Sequence, residues 1–436
     1  MLSYDINPTP LLTADRQGLL MPENFRDYLM PPDAEKFDGI EDLDAYQWVD
    51  RHLQYDTFRG AIDAWTAMFA ETSFRGITTD GTRHEGLFPR RAEAAPTTAM
   101  VAAAQHLLGT LDDTQRRAVQ HPLNSRVWRA WMNPELYVNR FGLRLDEVSA
   151  DVRAAVLDLI RASLSEAGFA KVRGCMWTNA FLGQLVGGPR VMNEYSYNFN
   201  LFAEPSETAA WGWSLYGHHV CVNVMVIGTQ MIASPMFLGA EPNVIDDGPY
   251  EGTRLFGEPD RLALNLLHGL PETIRDAVVL YPDKRDPAIP PGREAFGDEL
   301  HLGGMFQDNR VIPYEGVCAV SFPPHSRDLL CRLAGTFIDH LPPGPYHARL
   351  NDIRAHLDDT WLCWIGGSGP DSPFYFRIQS PVVLIEYEHH AGIMLANERP
   401  EKFHTHTIIR TPNGNDYGVA LVAQETGQQL TLTDEE

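Results

Sequence analysis

Two short runs late in the chain hold residue types that can bind a metal ion. Glu386 and Glu388 stand in LIEYEHH, and His404 and His406 stand in KFHTHTIIR. Residues two apart on a β-strand point to one face. Each pair therefore offers two donors together, and antiparallel pairing of the two strands would bring imidazoles and carboxylates onto one surface. Two imidazoles with a carboxylate suit one divalent ion, zinc, iron or manganese. The expected ligands are Glu386, His404 and His406, completed from His218-His219 in the strand-like run WGWSLYGHHVCVNVMVI. Neighbouring strand residues face opposite ways. Val220, Val222, Val224 and Val226 share the face of His218, whereas Cys221, Asn223 and Met225 share that of His219. His219 is thus the first choice as fourth ligand, unless a bulge reverses the two.

Other residues around this cluster have expected roles. Glu388 or the spare histidine, His218, would move a proton. Arg410 shares a face with His404 and His406, and would either clamp an anionic substrate group or neutralise Glu386. Glu386 itself sits on an apolar strand, where an unpaired buried charge is costly, so it needs an ion or an arginine. Tyr195, Trp211 and Trp213, with Asn223 nearby, would line a pocket for a flat substrate; rows of this kind are otherwise core. Gly366-Gly367-Ser368-Gly369 reads as a turn, because neither a Lys-Ser/Thr pair nor a helix follows it. A GxSxG elbow, a GxGxxG fingerprint after a strand and an HExxH helix are all absent.

The elements that must position these residues read as α+β: a helical N-terminal half packed on a mostly antiparallel sheet that carries the site. Residues 1–50, rich in Pro and Asp, are expected to form an irregular arm. A single α+β catalytic domain should cover 51–423, helical over about 96–187 and mainly β over about 190–240 and 360–420. Residues 424–436 read as a frayed acidic tail. A hairpin is expected over 74–88 at its Asp-Gly turn. Apolar spacing at Val152, Val156, Leu159, Ile160 and Leu164 predicts one helix over 146–169 that ends at Gly168, with a second over 171–186.

Composition narrows the partners. The formal net charge of −23 over 436 residues disfavours nucleic acid and anionic membranes, which need a basic surface. Five scattered cysteines without a CxxC pair suggest neither a thiolate metal site nor a disulfide framework. No run approaches the apolar length of a membrane helix, and no leader-like segment opens the chain, so a cytoplasmic protein is expected, possible as a homo-oligomer.

Several blocks are similar to a known family. Trp211-Gly212-Trp213 with Gly217-His218-His219, PMFLGAEP over 235–242, FQDN over 306–309, PYEG over 313–316 and the stretch 380–417 resemble DUF3500, a family of bacterial and fungal proteins of uncharacterised function. The resemblance runs from about Phe74 onward. It implies that His219 or His218, Glu386, His404 and His406 belong to one family-wide site, and it brings no reaction with it. The expected function is metal-dependent conversion of a small anionic or aromatic molecule, first by hydrolysis through a metal-activated water. A non-haem iron oxygenase on the same ligands is the alternative, and a non-catalytic small-molecule binder the second.

Overall fold

The computed structural model describes residues 24–31, 34–70, 74–295, 297–427 and 430–433. Twelve strands form one sheet: β1 (Gln120–His121), β2 (Leu143–Arg144), β3 (Tyr197–Phe202), β4 (Trp211–Gly217), β5 (Val220–Ile227), β6 (Gln230–Ala240), β7 (Val279–Tyr281), β8 (Val317–Cys318), β9 (Trp361–Gly366), β10 (Phe374–Gln379), β11 (Leu384–His390) and β12 (Glu401–Arg410). Their order is β1-β3-β4-β5-β6-β12-β11-β10-β9-β7, with β2 beside β3 and β8 beside β9. Only β1 with β3 and β7 with β9 run parallel. The fold is α+β. Two antiparallel meanders, β3 to β6 and β9 to β12, join where β6 pairs with β12. That seam brings the turn before β5 next to the histidine strand, although nearly two hundred residues separate them in sequence.

The central strands are buried on both faces, and their residues alternate between two cores. Val220, Val222, Val224, Ile385, Tyr387 and Ile409 belong to one. It includes residues of the helices Thr97–Thr110, Ala150–Ser163, Gly257–Gly269 and Pro324–Ile338. Cys221, Met225, Phe237 and Ile408 belong to the other, with Trp48, Trp65, Trp131, Phe306 and Tyr417. The site lies on this second face.

Local expectations fare unevenly. The helix expected over 146–169 divides at Leu164: Ser149 caps Ala150–Ser163, and Ser165 caps Glu166–Leu185 through its hydroxyl on the Gly168 amide. Gly168 therefore opens a helix instead of ending one, and a Cβ there would lie 2.5 Å from His340 Cα. Close packing, not a turn, demands the glycine. Helices also occupy Pro324–Ile338 and Pro343–Ala355, so they are not confined to the N-terminal half. No strand forms over the described residues of 74–88; Thr78 instead bridges Val311. Of the expected N-terminal arm, residues 1–23 lie outside the described residues, while Ala45–His52 is helical behind an Asp44 capping box. In the expected tail, 428–429 and 434–436 are likewise outside, whereas Leu432 is buried and the Thr433 amide donates to the Asn124 carbonyl.

Candidate metal centre

β11 and β12 pair antiparallel with Glu388 opposite His406 and Glu386 opposite Ile408. His404 and His406 thus share a face with both glutamates. His219 reaches that face from the β4–β5 turn. Its backbone is left-handed (φ 63°), its amide donates to the Asn133 carbonyl, and its carbonyl accepts from the Gly239 amide. Strand alternation does not apply in a turn, so His218 and His219 stack with ring centroids 3.8 Å apart instead of facing opposite ways.

The result is a tripod of nitrogens. His404 Nε2 lies 3.0 Å from His406 Nε2, and His219 Nε2 lies 3.1 Å from it. Ligand nitrogens of the three residues all fall within 4.8 Å of one another. Two nitrogens bound to one ion at 2.0–2.1 Å, with angles of 90–110°, stand about 2.9–3.4 Å apart. Proton counting favours the same conclusion. His404 Nδ1 is 2.8 Å from the Ala391 carbonyl, which can only accept, so the ring proton sits on Nδ1 and Nε2 keeps its lone pair. One proton on His406 Nε2 cannot be directed fully at both neighbours. A cation at the centre satisfies all three. The Ala391 carbonyl also fixes the orientation of the His404 ring.

Every group in this cluster is buried. Burial holds His219 and His406 well below the ordinary imidazole range and His218 near 4, so their nitrogens are neutral at pH 7. Gly239, opposite His406, leaves room for the rings: a Cβ there would meet both His219 Cδ2 and His406 Cδ2 at 3.0 Å.

Not all expected residues gather here. Glu386 shares the face but is held elsewhere, accepting from the Tyr375 hydroxyl at 2.6 Å and the amides of Leu302 (2.9 Å) and Gly303 (2.7 Å). Though burial opposes it, the His301 imidazole, Arg377 and these donors hold its carboxyl below the usual range. Its expected partner Arg410 is taken as well: Nη1 binds Asp308 (2.8 Å) and Asp416 (3.1 Å), while Nε and Nη2 donate to the carbonyls of Gly303 and Gly304. That network leaves no clamp for substrate. His218 turns away to Asn179 Oδ1 at 2.8 Å. The Trp213 indole donates to the Ser163 hydroxyl and the Trp211 indole to the Ser206 carbonyl, both rings within the helix-facing core. Tyr195 lies under the guanidinium of Arg153, and Asn223 donates to the Pro235 carbonyl.

Other residues do approach the tripod. The His390 ring is 4.5 Å from that of His406 and 4.8 Å from that of His404. Its Nδ1 donates to the same Ala391 carbonyl, leaving Nε2 a buried lone pair without a partner. His301 lies 6.2 Å from His406 by ring centroid, its two nitrogens unpartnered and Nε2 3.7 Å from Glu388. Glu388 receives the Lys284 ammonium at 2.6 Å and the Leu300 amide. Burial pushes its carboxyl up to about 8, against the pull of Lys284. The doubled histidine in EYEHH signals His390, two residues after Glu388 on the same face. His301 and Lys284 lie in irregular segments where no periodicity marks them.

No curated protein and no solved structure matches the chain. Among the described residues, no helix is long and apolar enough to cross a membrane. A family model does match, over residues 93–419, three quarters of the chain and all three tripod histidines. The chain belongs to DUF3500, a family described as proteins of unknown function.

Proposed function

We propose that the chain is a metal-dependent enzyme that holds one divalent ion on His219, His404 and His406 and acts hydrolytically on a small molecule. The observation that carries this reading is the convergence of three buried imidazole Nε2 atoms at ligand spacing. Three protein nitrogens leave a coordination position for water, and a bound ion supplies Lewis acidity and lowers that water's pKa toward neutrality. Glu388 and His301, 3.7 Å apart beside the cluster, are the groups to take and return a proton. The oxygenase alternative loses support, because its carboxylate ligand, Glu386, is held by Tyr375 and two amides. A second reading, a closed structural ion with His390 as fourth nitrogen, draws on the unpartnered His390 Nε2.

Elemental analysis of untagged protein beside the His404→Ala/His406→Ala double variant tests the centre. About one equivalent of zinc, iron or manganese in the parent, lost in the variant, is expected. No metal in the parent after reconstitution would overturn the reading. With metal present, panels of small esters and amides test hydrolysis, and no turnover by the loaded protein would leave the closed structural ion.

A further inference from the structure

A recess with a few polar groups in a largely apolar wall lies past the far end of β12, lined by Ile409 and Thr411 together with Arg349, His340 and Asn415. Arg349, on the helix Pro343–Ala355, is buried, and its guanidinium makes one hydrogen bond, from Nη2 to the Thr411 hydroxyl at 2.9 Å. A guanidinium carries five N–H donors, so most of its capacity is unused. Asn415 is fully buried; its Oδ1 accepts from the Leu421 amide while its Nδ2 has no partner. Arg349 and the orphaned, buried Asn415 Nδ2 therefore face one recess without acceptors to match. Leaving the buried Asn415 donor so is costly.

The nearby carboxylates do not fill the role. Asp352 is held by both Nη atoms of Arg91, at 2.8 and 2.5 Å, and Glu93 by Arg91 Nε and Gln230 Nε2. Asp416 takes Arg410, the Ser234 hydroxyl and the Thr411 amide. The free space is about 30 Å³ for water-sized groups, room for one to three such groups. The remaining unpartnered atom, His340 Nε2, is a lone pair, because Nδ1–H is directed at the Phe337 carbonyl; it suits a water beside the occupant.

We propose that this recess is a binding site for a small acceptor-only anion, a halide or a short carboxylate, held by Arg349, Asn415 Nδ2 and the Thr411 hydroxyl. Phe88, Ile338, Leu341 and Leu421 make the rest of the wall apolar, which suits a small anion better than a phosphate ester. The site is separate from the histidine tripod and does not depend on it. Bound anion would tie the helix carrying Arg349 to the end of β12.

Thermal unfolding at fixed ionic strength tests this, with chloride, formate or acetate exchanged against a bulky sulfonate. In the parent, Tm should rise with one or more of the small anions and saturate, as linkage requires. The chloride and carboxylate arms identify the occupant. Asn415→Asp places a carboxylate oxygen at the unpartnered donor's position and should remove the anion dependence while leaving the protein folded. Arg349→Gln should remove it too; if that variant does not fold, Asn415→Asp still decides. A parent Tm identical in all salts, or an Asn415→Asp variant with undiminished anion dependence, would overturn the proposal. The same series on His404→Ala keeps the result independent of metal.

Discussion

Alanine at Gly239 should loosen the tripod without replacing any of its three histidines. The new Cβ would stand 3.0 Å from His219 Cδ2, His406 Cδ2 and the Thr405 carbonyl oxygen, against 3.4–4 Å for ordinary contact. Gly239 is absent from the positive-φ residues, so alanine adds no backbone strain and the effect is steric. Each ring must give about 0.4 Å, close to the ~0.5 Å within which a ligand constellation has to be held. Overpacking of this kind costs about 1–3 kcal/mol of stability. Because Cδ2 adjoins Nε2 in each ring, the same displacement spreads two ligand atoms, and metal affinity should fall roughly 10–100-fold, as when an outer-shell support is lost. Competition against a chromophoric chelator measures the affinity, and urea unfolding of metal-free protein the stability. Gly109→Ala, on a helix with nothing within 4 Å, is the control and should leave both unchanged or raise stability slightly. A Gly239→Ala protein that binds metal as tightly as the parent would refute the argument that this glycine exists to seat the two rings.

Three further outcomes follow from the same contacts. Glu386→Gln should keep one metal per chain by elemental analysis yet lose about 1–3 kcal/mol in urea unfolding, since an amide cannot accept from Tyr375, Leu302 and Gly303 together. Arg410→Met should cost about 3–5 kcal/mol by the same assay, because Asp416 is left buried without a cation. Burial holds His340 at about 3 instead of 6.5, so the unfolded chain takes up that proton first. Its contribution is therefore intact above pH 6.5 and lost as pH falls toward 3, on the order of 5 kcal/mol in all. Unfolding free energy against pH should be flatter in His340→Gln.

Much of the site was legible because strands follow simple rules. Alternation puts His404, His406, Glu386 and Glu388 on one face from sequence alone, and their pairing follows from two adjacent strands. Alternation fails at His218-His219, which form the turn instead of extending a strand, so His219 joins His404 and His406 for a reason other than the one that suggested it. Glu386 and Arg410 could not be assigned from β11 and β12 alone. Their partners come from the irregular segment at 302–308 and from Asp416, whose contacts depend on tertiary packing. The aromatic rows illustrate the opposite limit. Trp213 alternates as a pocket wall would, but a fully buried strand alternates between two cores, and only the helix bearing Ser163 decides which one it enters.

The charges around the tripod bear on which chemistry it suits. The carboxylates nearest to it are already committed: Glu241 to the amides of Ile393, Met394 and Leu395, Glu299 to Lys284 and Arg285, Glu386 to Tyr375 and two amides, and Glu388 to Lys284. In a chain of net charge −23, the three proposed ligands are nonetheless imidazoles. A divalent ion in the proposed site would keep its full charge, with no ligand carboxylate to offset it. That favours acidification of a bound water over stabilisation of a higher oxidation state, which anionic ligands support better. Replacing His404 by Asp would alter this balance while keeping a donor. In the hydrolytic reading, the acid limb of the pH–rate profile should then move to higher pH, because the ion polarises its water less. An unmoved limb, with metal still bound, would mean that the ionising group is not the metal's water.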